Sequence, residues 1–280
     1  MTDAKARQTG APRIAASSYL NTAPLIWSYI NGSRRRAVEL MTDAAPARCA
    51  DLLAHGRVEA ALVPVIEYHR IPEIAIVPDV CVGSRGRVRS VVVATRGMDL
   101  EDARTIALDT SSRTSVALVQ ILFREFFGRE PELRRQAPDL DAMLAVADAA
   151  LVIGDPAMTF PRARSLRIYD LATLWREHTG LGFVFAMWMA RVDVPAETIG
   201  AVDFAGARAE GLDHLDEITA QYAAALNLPR AELYEYLTDN ICFETNEEMR
   251  AGLDLFYQLA FKHRIISELR PLRMVTSGGA

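Results

Sequence analysis

The densest cluster of ligand-ready side chains in this chain is the octet Leu108-Asp109-Thr110-Ser111-Ser112-Arg113-Thr114-Ser115, which stands just ahead of the apolar run Val116 to Phe127. Five of its side chains (Thr110, Ser111, Ser112, Thr114 and Ser115) can donate to an anion, and Arg113 adds a full positive charge. Ile106-Ala107-Leu108 has the character of a buried strand's end, while Ala117, Leu118, Ile121, Leu122 and Glu125 recur at helical spacing. The turn between them therefore opens a helix, whose first N–H groups lack intrahelical partners and whose dipole favours negative charge. A carboxylate or phosphate fits such a place. The same residues also suit an ordinary Ser or Thr N-cap with solvated neighbours.

Other polar turns also follow strands. Arg13 to Ala16 is a short strand that runs into Ser17-Ser18-Tyr19-Leu20-Asn21-Thr22-Ala23-Pro24, and Pro24 suits the first turn of a helix that continues to Asn31-Gly32. Ala149 to Ile153 ends at Gly154-Asp155-Pro156, and Val88 to Ala94 carries Ser90 near its start. Each candidate has a plain structural alternative. Asn21 suits a turn or cap, Ser90 can bond a neighbouring carbonyl, and Asp155 can cap the helix after it.

The elements that must position these residues alternate. Strands at Val38–Met41, Ala60–Pro64, Ile74–Val77, Thr105–Leu108, Leu133–Ala137 and Phe183–Ala190 are interleaved with helices at Pro46–Ala54, Thr114–Phe127 and Leu140–Ala147. A short helical segment is expected from Tyr169 to Glu177, and helices from Ala196 to Leu269 are expected to cover the first lobe. The pattern predicts an α/β protein of two parallel or mixed-sheet lobes, with 12–95 and 190–275 forming the first and 96–189 inserted as the second. Open sheets of this kind bind ligands beyond the carboxyl ends of their strands. Two facing sheets would gather Ser17 to Asn21, Ser90, Ser111 to Ser115 and Gly154-Asp155 at one cleft suited to a small polyanion.

Composition narrows the chemistry. With 280 residues, half of them hydrophobic, and a net charge of −5, the chain has the make-up of a globular protein and lacks the basic face that nucleic acid requires. Met1 to Pro12 has no apolar h-region, and the best apolar run, Gly182 to Ala190, is far too short for a membrane span, so a cytoplasmic protein is expected. Cys49, Cys81 and Cys242 are odd in number and widely separated, which suits reduced thiols. No metal and no cofactor are expected. There is no Gly-rich phosphate loop with a lysine, no dinucleotide fingerprint and no G-x-S-x-G turn. His55, His69, His214 and His263 have no acid partner nearby in sequence and are expected at the surface. His178, beside Thr179-Gly180, is the one histidine with a plausible approach to the cleft, and the aromatics of Phe183 to Trp188 are assigned to the core.

Taken in order, the motifs resemble the chorismate dehydratase family of the futalosine route to menaquinone, commonly called MqnA. The matching stretches are Ser18 to Leu25, Ala61 to Pro64 with Glu67-Tyr68, Val88-Arg89-Ser90-Val91 and Leu108 to Ser115. Val152 to Asp155, Tyr169-Asp170-Leu171 with Trp175, and Thr179-Gly180 with Phe183 to Ala186 continue the match. The resemblance implies the two-crossover, periplasmic-binding-protein-like type II fold with the ligand between its lobes. It also implies loss of water from chorismate, a small dicarboxylate, to give 3-[(1-carboxyvinyl)oxy]benzoate. Asn21 and Ser90 fall at the family's reacting centre and the Ser112 to Ser115 turn at a carboxylate site. A sister enzyme, the 1,4-dihydroxy-6-naphthoate synthase, shares the fold, but its second lobe carries a histidine where this chain has Gly154-Asp155. A non-catalytic small-anion binding protein of the same fold is the other alternative. No histidine or glutamate in a matching motif is an obvious general base. The substrate's own enolpyruvyl carboxylate, Asp155, Glu67 and His178 remain open for that role.

Overall fold

Short runs such as Ile14-Ala15-Ala16, Ala60 to Pro64 and Ala149 to Ile153 are buried along their whole length, the pattern of strands covered on both faces. The computed structural model describes residues 10–161 and 165–275. Its ten strands are β1 (Arg13–Ser17), β2 (Glu39–Asp43), β3 (Ala60–Pro64), β4 (Ile74–Ser84), β5 (Val91–Arg96), β6 (Thr105–Asp109), β7 (Glu132–Gln136), β8 (Ala149–Ile153), β9 (Leu166–Asp170) and β10 (Phe183–Arg191). They form two five-stranded sheets of order β2-β1-β3-β10-β4 and β7-β6-β8-β5-β9. The two orders are equivalent. In each sheet the fourth strand has just arrived from the other lobe, and it runs antiparallel to both neighbours. The first three strands of each are parallel.

The expected lobe limits need correction. The boundary at 95/96 cuts through β5, which belongs entirely to the second sheet, and β10, expected to close the second lobe at 189, lies in the first. The chain changes lobes between Ser84 and Val91 and again between Thr179 and Phe183. A strand's apolar pattern is the same whichever sheet it joins, so membership is set by partners distant in sequence. β9 is likewise a strand where a helix was expected from Tyr169. Asp170 ends it and accepts the Ala172 and Thr173 N–H groups as the N-cap of the helix Leu171–Thr179.

Helices α1 (Ala23–Ile30), α2 (Pro46–Ala54) and α3 (Thr114–Ile121) follow β1, β2 and β6, and each begins at a strand tip facing the other lobe. Pro24 and Pro46 lie in the first turns of their helices, where a missing N–H costs nothing. The C-terminal helices cover more than the first lobe. Phe204–Asp213 packs on α1, whereas Glu247–Lys262 packs on both β10 and α3, and Lys262 and His263 bond Glu125 of the second lobe. Among the described residues no helix is long and apolar enough to cross a membrane.

Candidate active site

Where the two sheets face each other they enclose a small cavity of about 60 Å³. Its apolar walls are Leu62, Pro64, Val82 and Phe185 from the first lobe and Val91 and Ile153 from the second. Its polar wall is Ser17, Tyr19, Asn21 and Thr22 on one side and Ser112, Arg113, Thr114, Ser115 and Gly154 on the other. Apolar faces and hydroxyl, amide and backbone donors thus meet in one cavity.

The start of α3 decides between the two uses of the hydroxyl cluster. Arg113 stands at its N-cap and no side chain caps the helix, so Ser112, Thr114 and Ser115 keep their donors for whatever fills the cavity. Ser111 does not line it. Its hydroxyl and N–H both bond the buried Asp109 carboxylate, at 2.6 and 2.8 Å, and Asp109 also accepts the Ile153 N–H. Thr110 is exposed.

Arg113 lines the cavity, but its charge is already matched. The guanidinium donates to Glu67 at 2.8 Å and to Asp51 at 2.6 Å, both on the first lobe. Glu67 is almost wholly buried and also accepts from Arg70. Burial of a carboxylate demands such partners, so Arg113 joins the lobes rather than standing as a free cation. Three first-lobe N–H groups complete the joint: Leu20 to Asp155 at 3.0 Å, Ala47 to the Ser111 carbonyl at 3.3 Å, and Ile66 to Thr114 Oγ1 at 3.4 Å. The lobes are closed.

Asp155 belongs to that joint and not to the cavity wall. Burial pushes its carboxyl up to about 6, against the opposing pull of the Leu20 N–H. Such a group binds its proton more tightly in the folded protein, so its contribution to stability is complete below its ordinary 3.8 and is lost as pH rises through about 6. Asp155→Asn keeps an acceptor for Leu20 but cannot ionise. The thermal midpoint of the variant minus that of the wild type is therefore expected to rise between pH 4 and pH 7, by a few degrees. A difference that stays flat across that range would show that this carboxyl does not titrate with folding.

Beside it, Gly154 sits at φ +66°, and a Cβ there would lie 2.4 Å from the Tyr19 ring. Glycine is thus required both for the turn and for the tyrosine that packs over it.

Asn21 and Ser90 are not side by side on the cavity wall. Asn21 reaches the cavity, half-buried, from the 3₁₀ turn Leu20–Thr22. Ser90 is fully buried just before β5, and its hydroxyl accepts the Tyr236 phenol at 2.7 Å. This tyrosine was not singled out from the sequence, where it is one apolar position in a helical stretch. Phe185 is buried in the core as expected and also lines the cavity, beside a register shift between Val184 and Ala186. His178 stacks on Phe126 at 4.5 Å and takes no part. No Asp, Glu or His is among the described residues that line the cavity.

A family model described as "Menaquinone biosynthesis" matches residues 12–262. The chain belongs to the menaquinone biosynthesis family. A chorismate dehydratase of Thermus thermophilus is 33% identical to this family member over 265 residues, covering 88% of this chain and 92% of the relative. Among solved structures, protein AF1704 of Archaeoglobus fulgidus superposes with a TM-score of 0.77 at 17% identity, covering 93% of this chain and all of that one. The periplasmic aliphatic sulphonate binding protein SsuA of Escherichia coli gives 0.62 at 16% identity, covering 95% of this chain and 94% of SsuA. At these identities the likeness is one of fold, and the fold is the periplasmic-binding-protein-like one.

Proposed function

We infer that this protein is a chorismate dehydratase of menaquinone biosynthesis, a hydro-lyase that converts chorismate to 3-[(1-carboxyvinyl)oxy]benzoate and water. The observation that carries the mechanism is the lining of the cavity: neutral donors and apolar walls, without an Asp, Glu or His side chain among its described residues. Chorismate supplies what the wall lacks. Its enolpyruvyl carboxylate, held beside the ring, takes the proton from the ring carbon that bears the ether oxygen, and enforced proximity compensates for a weak base. Asp155, Glu67 and His178 are engaged elsewhere.

Loss of that proton leaves an electron pair conjugated through the ring alkene with the ring carboxylate. Negative charge grows on those oxygens in the transition state, where the uncapped start of α3 and the hydroxyls of Ser112, Thr114 and Ser115 stabilise it. The pair then forms the ring's third double bond as the neighbouring hydroxyl leaves and takes up a proton as water. Asn21 faces that leaving group. Closure around Arg113 keeps bulk water out and strengthens each of these contacts. The free, buried Cys49 and Cys81 suit a reducing compartment, and we assign the enzyme to the cytoplasm.

Purified protein mixed with chorismate tests the reading. The expected result is loss of the ring-diene absorbance with an aromatic product formed in equal amount and no added cofactor. Chorismate bound but recovered intact would instead mark a receptor of the same fold.

A further inference from the structure

Building on the dehydratase reading, we propose that Thr22 is a positioning residue: together with Ser17 it fixes which end of the Asn21 carboxamide faces the substrate, so that Ser17 and Asn21 receive the departing hydroxyl as a pair. All three side chains line the cavity, and Ser17 and Thr22 are almost wholly buried. Thr22 stands at the N-cap of α1, where a threonine hydroxyl ordinarily bonds the first free N–H groups of the helix. Here it caps nothing. Its hydroxyl bonds Ser17 and Asn21 instead.

Counting protons fixes the direction of these bonds. Thr22 Oγ1 meets Asn21 Oδ1 at 3.4 Å, and an amide oxygen has no proton to give, so the hydroxyl is the donor. Thr22 has a single proton. Ser17 Oγ, 2.8 Å from Thr22 Oγ1, therefore donates to it. Both results reach the cavity. The Asn21 oxygen is taken, which leaves the NH₂ end for a ligand, and Ser17, its proton committed, offers a ligand only lone pairs. A donor beside an acceptor is the complement of a hydroxyl group, which accepts one bond and donates another. A carboxylate has lone pairs alone, and its match is the opposite wall, the uncapped start of α3 with Ser112, Thr114 and Ser115. The two walls thus tell the hydroxyl of the substrate from its ring carboxylate.

The orientation of the amide matters most as charge moves. While the C–O bond breaks, negative charge grows on the departing oxygen, which an N–H stabilises and a carbonyl oxygen repels. Without the Thr22 hydroxyl the carboxamide is free to turn over and present Oδ1 to that charge. Ser17 loses the acceptor for its own proton in the same stroke, so both signals at this end of the cavity are lost together.

The test begins with Thr22→Val, which replaces the hydroxyl by a methyl group of similar size. It is expected to lower kcat about 10–100-fold, the cost of a misplaced group, with KM changed far less. The thermal midpoint should stay near that of wild type, because no helix cap is lost. Thr22→Ser, which keeps the hydroxyl, should recover most of the rate. In an Asn21→Ala background Thr22→Val should cost little more, since the group it positions is gone. Wild-type kcat in Thr22→Val, no recovery in Thr22→Ser, or losses that multiply in the double variant would overturn the proposal. A second readout is independent of turnover. Neutron diffraction from deuterium-exchanged crystals should show a deuteron on Thr22 Oγ1 directed at Asn21 and one on Ser17 Oγ directed at Thr22. A deuteron on the Asn21 nitrogen directed at Thr22 also overturns it. A wild-type protein inactive on chorismate would sink the dehydratase assignment, and the deuteron positions would still decide which end of Asn21 faces the cavity.

Discussion

Replacing Asn21 by alanine is expected to cut kcat by about 100–1,000-fold, the loss seen when one donor to a developing charge is removed from a closed site, or roughly 3–4 kcal/mol. The side chain is half-buried on the cavity wall and its Oδ1 accepts from Thr22, so its removal takes away a donor without emptying the hydrophobic core. KM should change much less than kcat, because the interaction strengthens as the hydroxyl departs and is weak in the ground state. Asn21→Asp differs in kind. It sets a carboxylate against a dianion and should raise KM as well. Steady-state kinetics on chorismate, with a melting curve for each variant, checks both. If Asn21→Ala turns over at the wild-type rate, the assignment of this residue to the reacting centre is wrong.

How much of this site can be seen in the sequence depends on the range of the force that forms it. The turns at Ser17 to Pro24, Leu108 to Ser115 and Gly154-Asp155 are visible because a strand, a polar turn and a helix follow one another within about a dozen residues, and each leaves its own periodicity. Pro46–Ala54, Ala60–Pro64 and Ala149–Ile153 are helix and strands at the residues the pattern predicts. The placement of β5 and β10 is not visible, because which sheet a strand joins is decided by pairing across the hinge. Nor is the fate of a charge. Arg113 in isolation is an anion's partner, and only the arrival of Asp51 and Glu67 from another lobe turns it into a bridge. Tyr236 lies 146 residues from the serine it bonds. Resemblance of the motifs pointed to Ser90, but its bond to Tyr236 is a fact of packing.

The bridge at Arg113 gives the second large expected effect, and its sign separates two roles. Were Arg113 chiefly a counter-ion for the substrate, weakening its protein partners would free positive charge for the dianion, and KM would fall. If it chiefly holds the lobes together, the same change loosens closure and KM rises. Asp51 is the clean place to ask. It is partly exposed, it does not line the cavity, and its bond to Arg113 is 2.6 Å. Asp51→Asn is expected to raise KM about fivefold, the equivalent of roughly 1 kcal/mol for a partly exposed ion pair. Arg113→Met does more, since it leaves the nearly buried Glu67 with Arg70 as its remaining ionic partner. A loss of roughly 2 kcal/mol is expected, about thirtyfold in kcat/KM, together with a lower thermal midpoint. Arg113→Lys should recover only part of it, because one ammonium cannot span two carboxylates as the guanidinium fork does. A fall in KM for Asp51→Asn would show instead that the guanidinium's first duty is to the ligand, and that the closing of the lobes is carried by the N–H groups of Leu20, Ala47 and Ile66.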